Sequence, residues 1–218
     1  GQLQPHAIVL VATIRALRHH GGAKKDEYNT PSLERVTKGF LNLEKHIENC
    51  KHFGITPVVA INHFPSDSAE EIEFVQQQCS THGVKAKVAK GFELGGQGTT
   101  ELAQAVCDSI ESGANQFKPL YDWSLSIEDK IIKIATSIYG ATAVEFSSKA
   151  HTQLKTIKTL GYDKLPVCMA KTEKSLSDNM ELKGRPENFT VHVREFEFAA
   201  GAGFIIPILG EIMRMPGL

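Results

Sequence analysis

Four short stretches of the 218-residue chain carry residue types that bind small aromatic and anionic molecules. In VVAINHFPSDSAEEIEF (58–74) an apolar run stops at Asn62, and His63, Phe64 and Pro65 precede acidic residues at helical spacing. An asparagine amide presents a donor beside an acceptor and can pair with a purine edge. Phe64 and Pro65 offer an apolar wall to a flat ring. The same residues also suit a helix N-cap and a packed turn. In the second stretch, His20-Gly21-Gly22, paired glycines let the backbone approach a ligand and aim its amides at an anion. They equally suit a helix end with His beside the dipole. The third, GFELGGQG (91–98), sets Phe92 ahead of three glycines and a helix start, a weak anion nest. No G-x-x-x-x-G-K-[ST] occurs in the chain, so a complete phosphate loop is not encoded; Lys24 and Lys25 follow Gly21-Gly22 at the wrong spacing and read as solvated charges. The fourth, KTEKSLSDN (171–179), closes the apolar run LPVCMA with donors and acceptors.

These stretches need elements to hold them. In open α/β sheets ligands bind just past the carboxyl ends of strands, and three apolar runs fit strands of such a sheet. AIVLVAT (7–13) is β-branched and of the kind buried on both faces, VVAI follows Pro57, and VKAKVA spans 84–89. Between the first two, Leu33, Val36, Phe40, Leu43 and Ile47 recur at three- and four-residue steps, with Pro31-Ser32 as start and Gly54 as stop. That is a βαβ unit. Helices are predicted over about 68–82 and 99–112. Residues 1–115 therefore read as the C-terminal part of a doubly wound, mostly parallel sheet whose earlier strands lie elsewhere.

Residues 116–218 read as a helical segment and a smaller α+β domain. SIEDKIIKIATSIYG is a helix with Ser126 and Asp129 at its start and Gly140 at its end, and SSKAHTQLKTIKTLGY is a second. LPVCMA (165–170) is a strand, and Phe189 to Phe198 alternates as an antiparallel strand does. No internal repeat is visible.

Composition narrows the classes. With 24 Lys and Arg against 25 Asp and Glu the chain has no basic field for nucleic acid or anionic membrane, and no apolar run reaches the ~18 residues of a membrane span. The four cysteines, Cys50, Cys79, Cys107 and Cys168, lie far apart and are expected to be reduced packing thiols. The nine histidines lack metal-ligand spacing, so no metal site is assigned.

Taken in order, VLVATIRALRHHGG, KGFLNLEKHIENCKHFGITPVVAINHFPSDSAEEI, LPVCMAKTEKSLSD and GAGFIIPILGEIMRMPGL resemble the C-terminal portion of formate–tetrahydrofolate ligase, across essentially the whole chain. The resemblance implies a P-loop-NTPase-like fold and an ATP-dependent ligase. It would join formate to tetrahydrofolate through formyl phosphate, giving 10-formyltetrahydrofolate, ADP and phosphate. It implies that Phe64 and Pro65 line the folate site and that Phe92 stands where the family usually carries a Trp, keeping the stacking face and losing the indole donor. Asn62 falls near the nucleotide, Ala170, Lys171, Thr172 and Ser175 on an adenine-contacting segment, and Gly21 and Gly22 as catalytic backbone close to formyl phosphate. The family's phosphate loop and magnesium-linked hydroxyl lie upstream of these strings. The chain is thus expected to be a fragment, inactive alone, with ATP and Mg2+ held mainly by the missing N-terminal part. A cytoplasmic or organellar homo-oligomer acting on small molecules, with no nucleic acid or membrane partner, is implied. The rival readings are another ATP-dependent carboxylate-activating ligase, such as one like dethiobiotin synthetase, and a non-catalytic folate- or nucleotide-binding module.

Overall fold

The computed structural model describes residues 3–210 and Ile212, in two compact units. The end of the family string, EIMRMPGL, falls outside the described residues apart from Ile212. Among the described residues no helix is long and apolar enough to cross a membrane.

The first unit runs to Lys118 and takes in Lys183–Arg185. Its three strands, β1 (Val9–Ala12), β2 (Val58–Asn62) and β3 (Ala86–Ala89), form a parallel sheet in the order β1-β2-β3. The central strand is apolar from Val58 to Ile61 because it is covered on both faces, and these four residues are buried. Helix α1 (Ile14–His20) follows β1, α2 (Leu33–His52) connects β1 to β2, and α3 (Ala69–Thr81) connects β2 to β3. The periodic Val36, Phe40, Leu43 and Ile47 of α2 meet Val59 and Ile61 of β2 and Val75 and Cys79 of α3 in one core. Short α4 (Gly91–Leu94), a 3-10 turn over Gly95–Thr99 and α5 (Thr100–Glu111) complete the unit.

Two expectations for the first strand are corrected. It ends at Ala12 rather than at residue 13, because the Thr13 hydroxyl accepts the Ala16 N–H at 3.0 Å and starts α1. It is not buried on both faces: Val9 and Val11 are 42% and 64% exposed, while Leu10 and Ala12 face the core. Helix α1 packs backbone to backbone on α2. A Cβ on Gly21 would lie 1.8 Å from the Arg35 carbonyl oxygen, and one on Gly39 1.9 Å from that of Leu17.

Beneath these crossovers lies a buried ion pair. Arg18 on α1 and Glu71 on α3 are 0% and 1% exposed, and Arg18 donates to the carboxylate through Nε at 2.9 Å and Nη2 at 2.5 Å. The remaining donors reach the Tyr28 carbonyl at 2.8 Å and the Ser66 carbonyl at 3.0 Å. Glu71 also accepts the Ser32 N–H at 2.8 Å and the Ser68 N–H and hydroxyl at 3.1 and 2.8 Å. Burial alone would raise this carboxyl; the bonds from Arg18, Ser32 and Ser68 outweigh it and hold the pKa at about 2.

The second unit is mixed. After α6 (Ile127–Ile134), a π-helical turn over Ala135–Tyr139 ends at Gly140 in the left-handed region. Then come β4 (Ala143–Phe146), α7 (Ser148–Thr159), β5 (Thr190–Ala199) and β6 (Phe204–Leu209), forming a sheet in the order β4-β5-β6. β5 pairs antiparallel with β6, as its alternation predicts, and parallel with β4, which the alternation cannot reveal. α6 and α7 bury Ile127, Ile131, Leu154 and Ile157 against Val193, Phe196 and Ile205.

The predicted strand over 165–170 is corrected to an extended segment held by two isolated parallel bridges, Val167 to Ile205 and Ala170 to Ile208. The cause is Pro207. Bonds run from Ile205 N to Pro166 O, from Cys168 N to Ile205 O, from Ala170 N to Pro207 O and from Leu209 N to Ala170 O. The parallel alternation calls for one more, from residue 207 to the Cys168 carbonyl, and proline has no N–H to supply it. All four cysteines are free, as expected, but the packing role is corrected for two of them: Cys79 is buried in the core and Cys50 half-buried, while Cys107 and Cys168 are exposed.

Two outcomes follow from this packing. Glu71→Gln should destabilise the fold by roughly 3 to 5 kcal/mol, the scale of a broken buried ion pair, in urea unfolding at neutral pH. For Glu71 the folded pKa is depressed, so its stabilisation is present above the ordinary 4.5 and is lost as pH falls toward about 2; the mutant should lack that acid slope. In native protein, a disulfide reagent should modify Cys107 and Cys168 at once and Cys79 only on unfolding, since burial also pushes the Cys79 thiol up to about 12.

Candidate functional site

The parallel register fixes which residues share the carboxyl edge of the first sheet. Ala12 stands opposite Ile61, and Asn62 opposite Ala89, so the loops after all three strands open on one edge. From β1 comes α1 with Arg15, from β2 come His63, Phe64 and Pro65, and from β3 come Lys90 and the α4 turn carrying Phe92 and Glu93.

Each loop is tied down. His63 N–H donates to the Ala89 carbonyl at 3.1 Å, and His63 Nδ1 pairs with Glu93 Oε1 at 2.8 Å, joining the β2 loop to the α4 turn. The Phe64 N–H donates to Asp67 Oδ2 at 2.9 Å, and the Ser66 carbonyl is the one held by Arg18. Lys90 N–H closes the glycine turn by donating to Gly98 O at 2.9 Å. The Arg15 guanidinium lies 5.3 Å from the centroid of the Phe64 ring. Asn62 and Phe64 are half-buried and Pro65 is exposed. Phe92 is 98% exposed, and among the described residues no ring packs on it.

Gly21 caps α1 and packs against α2, which accounts for that glycine through helix geometry. Gly22 has φ +99°, and a Cβ there would meet nothing within 4 Å, so its surroundings are open. The preceding His20 accepts the Gly184 N–H through Nδ1 at 3.2 Å; burial, followed by His19, His46 and Lys183, lowers its pKa to about 4, so it is neutral at physiological pH.

The fourth predicted stretch lies in the second unit. Lys171 Nζ donates to its own loop, to Thr172 O at 2.8 Å and to Ser175 O, and stands 5.1 Å over the Tyr139 ring. Burial lowers its pKa, against the nearby Asp178 and Glu173. Ser175 is buried and its hydroxyl donates to Leu182 O at 2.5 Å. Ala170 is half-buried on the bridge to Ile208. Thr172 lines a cleft of about 890 Å3 with Lys174, Asp178, Phe189, His192 and Leu209. Asp178 accepts both the His192 N–H at 2.8 Å and a bond to its Nδ1 at 3.1 Å.

Asn62, Phe64, Pro65, Phe92, Gly21 and Gly22 thus belong to one unit, and Ala170, Lys171, Thr172 and Ser175 to the other. Sequence reasoning passed over Arg15, Glu93, Asp178 and His192, whose partners stand 14 or more positions away or depend on the sheet register. Among the described residues no three His, Cys, Asp or Glu side chains gather to hold a metal.

A parallel sheet with its strand-end loops on one edge and crossover helices defines an α/β protein, and the second unit is mixed. Residues 1–218, the whole chain, match the family model for formate–tetrahydrofolate ligase, and the chain belongs to that family.

Lys171→Met should cost about 1 to 3 kcal/mol of stability, the scale of charged hydrogen bonds lost from a part-buried loop, and should speed amide exchange at Ser175 and Ser177. Unchanged exchange there would mean that the lysine does not hold the loop.

Proposed function

We propose that the protein takes part in the ATP-dependent ligation of formate to tetrahydrofolate and that this chain supplies chiefly the folate side of the site. The observation that carries this reading is the match to the ligase family from end to end. In the proposed sequence a formate oxygen attacks the γ-phosphorus of ATP, releasing ADP and forming formyl phosphate. The folate N10 amine then attacks the formyl carbon, phosphate leaves, and 10-formyltetrahydrofolate results.

The flat pterin would lie on Phe64 and Pro65, with Phe92 as the opposing face. An almost fully exposed phenylalanine on a closed turn, on the same sheet edge as a half-buried one, supports a site that a flat ligand completes. Asn62 would stand toward the nucleotide, where among the described residues its amide has no partner. Gly22 would let the acyl phosphate approach the backbone. Ala170, Lys171, Thr172 and Ser175 would form an adenine-side loop, with Lys171 and Ser175 shaping it and Thr172 facing the ligand.

The first unit is read as the C-terminal part of a doubly wound, P-loop-NTPase-like sheet, and the second as its smaller C-terminal domain. The sequence has no glycine-lysine phosphate loop, so the groups around the β- and γ-phosphates, and magnesium, are assigned to a part of the enzyme outside these residues.

In the intact enzyme, Phe64→Ala and Phe92→Ala should each weaken tetrahydrofolate binding by about 1 to 3 kcal/mol with little change for ATP. An unaltered tetrahydrofolate KM in both variants would overturn the folate assignment. The 218-residue chain alone, assayed with ATP, magnesium, formate and tetrahydrofolate, should form no product until a part carrying the phosphate loop is added. Turnover by the chain alone would place the phosphate site within it.

A further inference from the structure

Helix α1 carries two arginines one turn apart, and their surroundings differ. Arg18 is fully buried, and its donors are taken by Glu71, Tyr28 O and Ser66 O. Arg15 is half-buried, with its guanidinium over the Phe64 ring at the carboxyl edge of the sheet. Among the described residues no carboxylate is within ion-pair reach of Arg15, and no carbonyl or hydroxyl accepts from it. A guanidinium held on a ring face keeps its five N–H groups available, in the fork that matches a carboxylate or phosphate. Stacking alone would not call for a fork of unspent donors. The helix that carries Arg15 leads directly into Gly22, whose surroundings are open.

We propose that Arg15 binds an oxyanion of the substrates against the Phe64 wall. The proposal rests on the reading of Phe64 as part of the folate site. Two groups of that reaction have this chemistry: the phosphoryl group of the acyl-phosphate donor and the glutamate carboxylate of the folate. Arg15 clamps one of them by paired, charge-assisted hydrogen bonds while its face stays on the ring. The arginine thereby couples the position of the aromatic wall to that of the anion.

The test uses the intact enzyme with Arg15→Met, Arg15→Lys and, as a separate control, Phe64→Ala. Calorimetry measures binding of tetrahydrofolate, of tetrahydropteroate, which lacks the glutamate, and of inorganic phosphate; steady-state kinetics give KM for formate, tetrahydrofolate and ATP. Arg15→Met should weaken one anionic ligand by about tenfold or more, the scale of a lost charged contact, with ATP KM within about twofold and the melting midpoint retained. Arg15→Lys should recover part of the loss. Weaker inorganic phosphate binding and a raised formate KM, with tetrahydrofolate unaffected, assign the acyl phosphate. Weaker tetrahydrofolate binding that is absent for tetrahydropteroate assigns the carboxylate. Unchanged constants for all of these ligands overturn the proposal, as does a uniform loss together with a lowered melting midpoint. Phe64→Ala is read separately: if it leaves tetrahydrofolate binding unaltered, the aromatic-wall reading fails, whatever Arg15 does. If it weakens binding while Arg15→Met is silent, the wall stands and the oxyanion assignment falls.

Discussion

The ion pair between Arg18 and Glu71 is the constraint on which the first unit's working edge depends. Its bonds reach α1, the carbonyl of Tyr28, the start of α2 at Ser32, the Ser66 carbonyl and the first turn of α3 at Ser68. Two charges removed from water repay their desolvation only when every donor and acceptor is met. Here the carboxylate accepts five bonds and the guanidinium answers with two backbone carbonyls besides the carboxylate. The loop that carries Phe64 and Pro65 is therefore fixed from behind, at Ser66 and Ser68, while its aromatic face stays half open.

The same economy separates structural from available groups along the edge. Gly21 is consumed by the close approach of α1 to α2, whereas Gly22 faces open space. Arg18 donates four of its five N–H groups to Glu71, Tyr28 and Ser66, whereas Arg15 rests on Phe64 with its donors unspent. His63 is spent on Glu93, and that contact carries the α4 turn, on which Phe92 is exposed. Residues adjacent in sequence thus divide between holding the site and forming it.

In the second unit proline performs a comparable division. Pro207 lies within β6, paired with Phe196 of β5, and its missing N–H falls on the side of the 165–170 segment. That segment is held at its two ends and relaxed in the middle, where Cys168 is exposed, and it delivers Lys171 into a loop that the lysine closes on itself.

Much of this was legible in the sequence, for local reasons. The VVAI run, the three- and four-residue steps of α2, the helix start near Ser68 and the Ser126 cap are short-range patterns, and each formed where its spacing said. The ordered family strings likewise carried the ligase membership without reference to any contact. What the sequence left undecided depended on partners far along the chain. The exposure of Val9 and Val11, the use of Glu71 by Arg18 across 53 positions and the pairing of His63 with Glu93 across 30 depend on which strands and helices meet. β4 is four residues long and the apolar run of β6 is broken by Pro207, so neither reads as a strand from the sequence alone. Both exist because β5 offers them unpaired edges, and hydrogen-bond pairing between strands is settled by the tertiary structure alone.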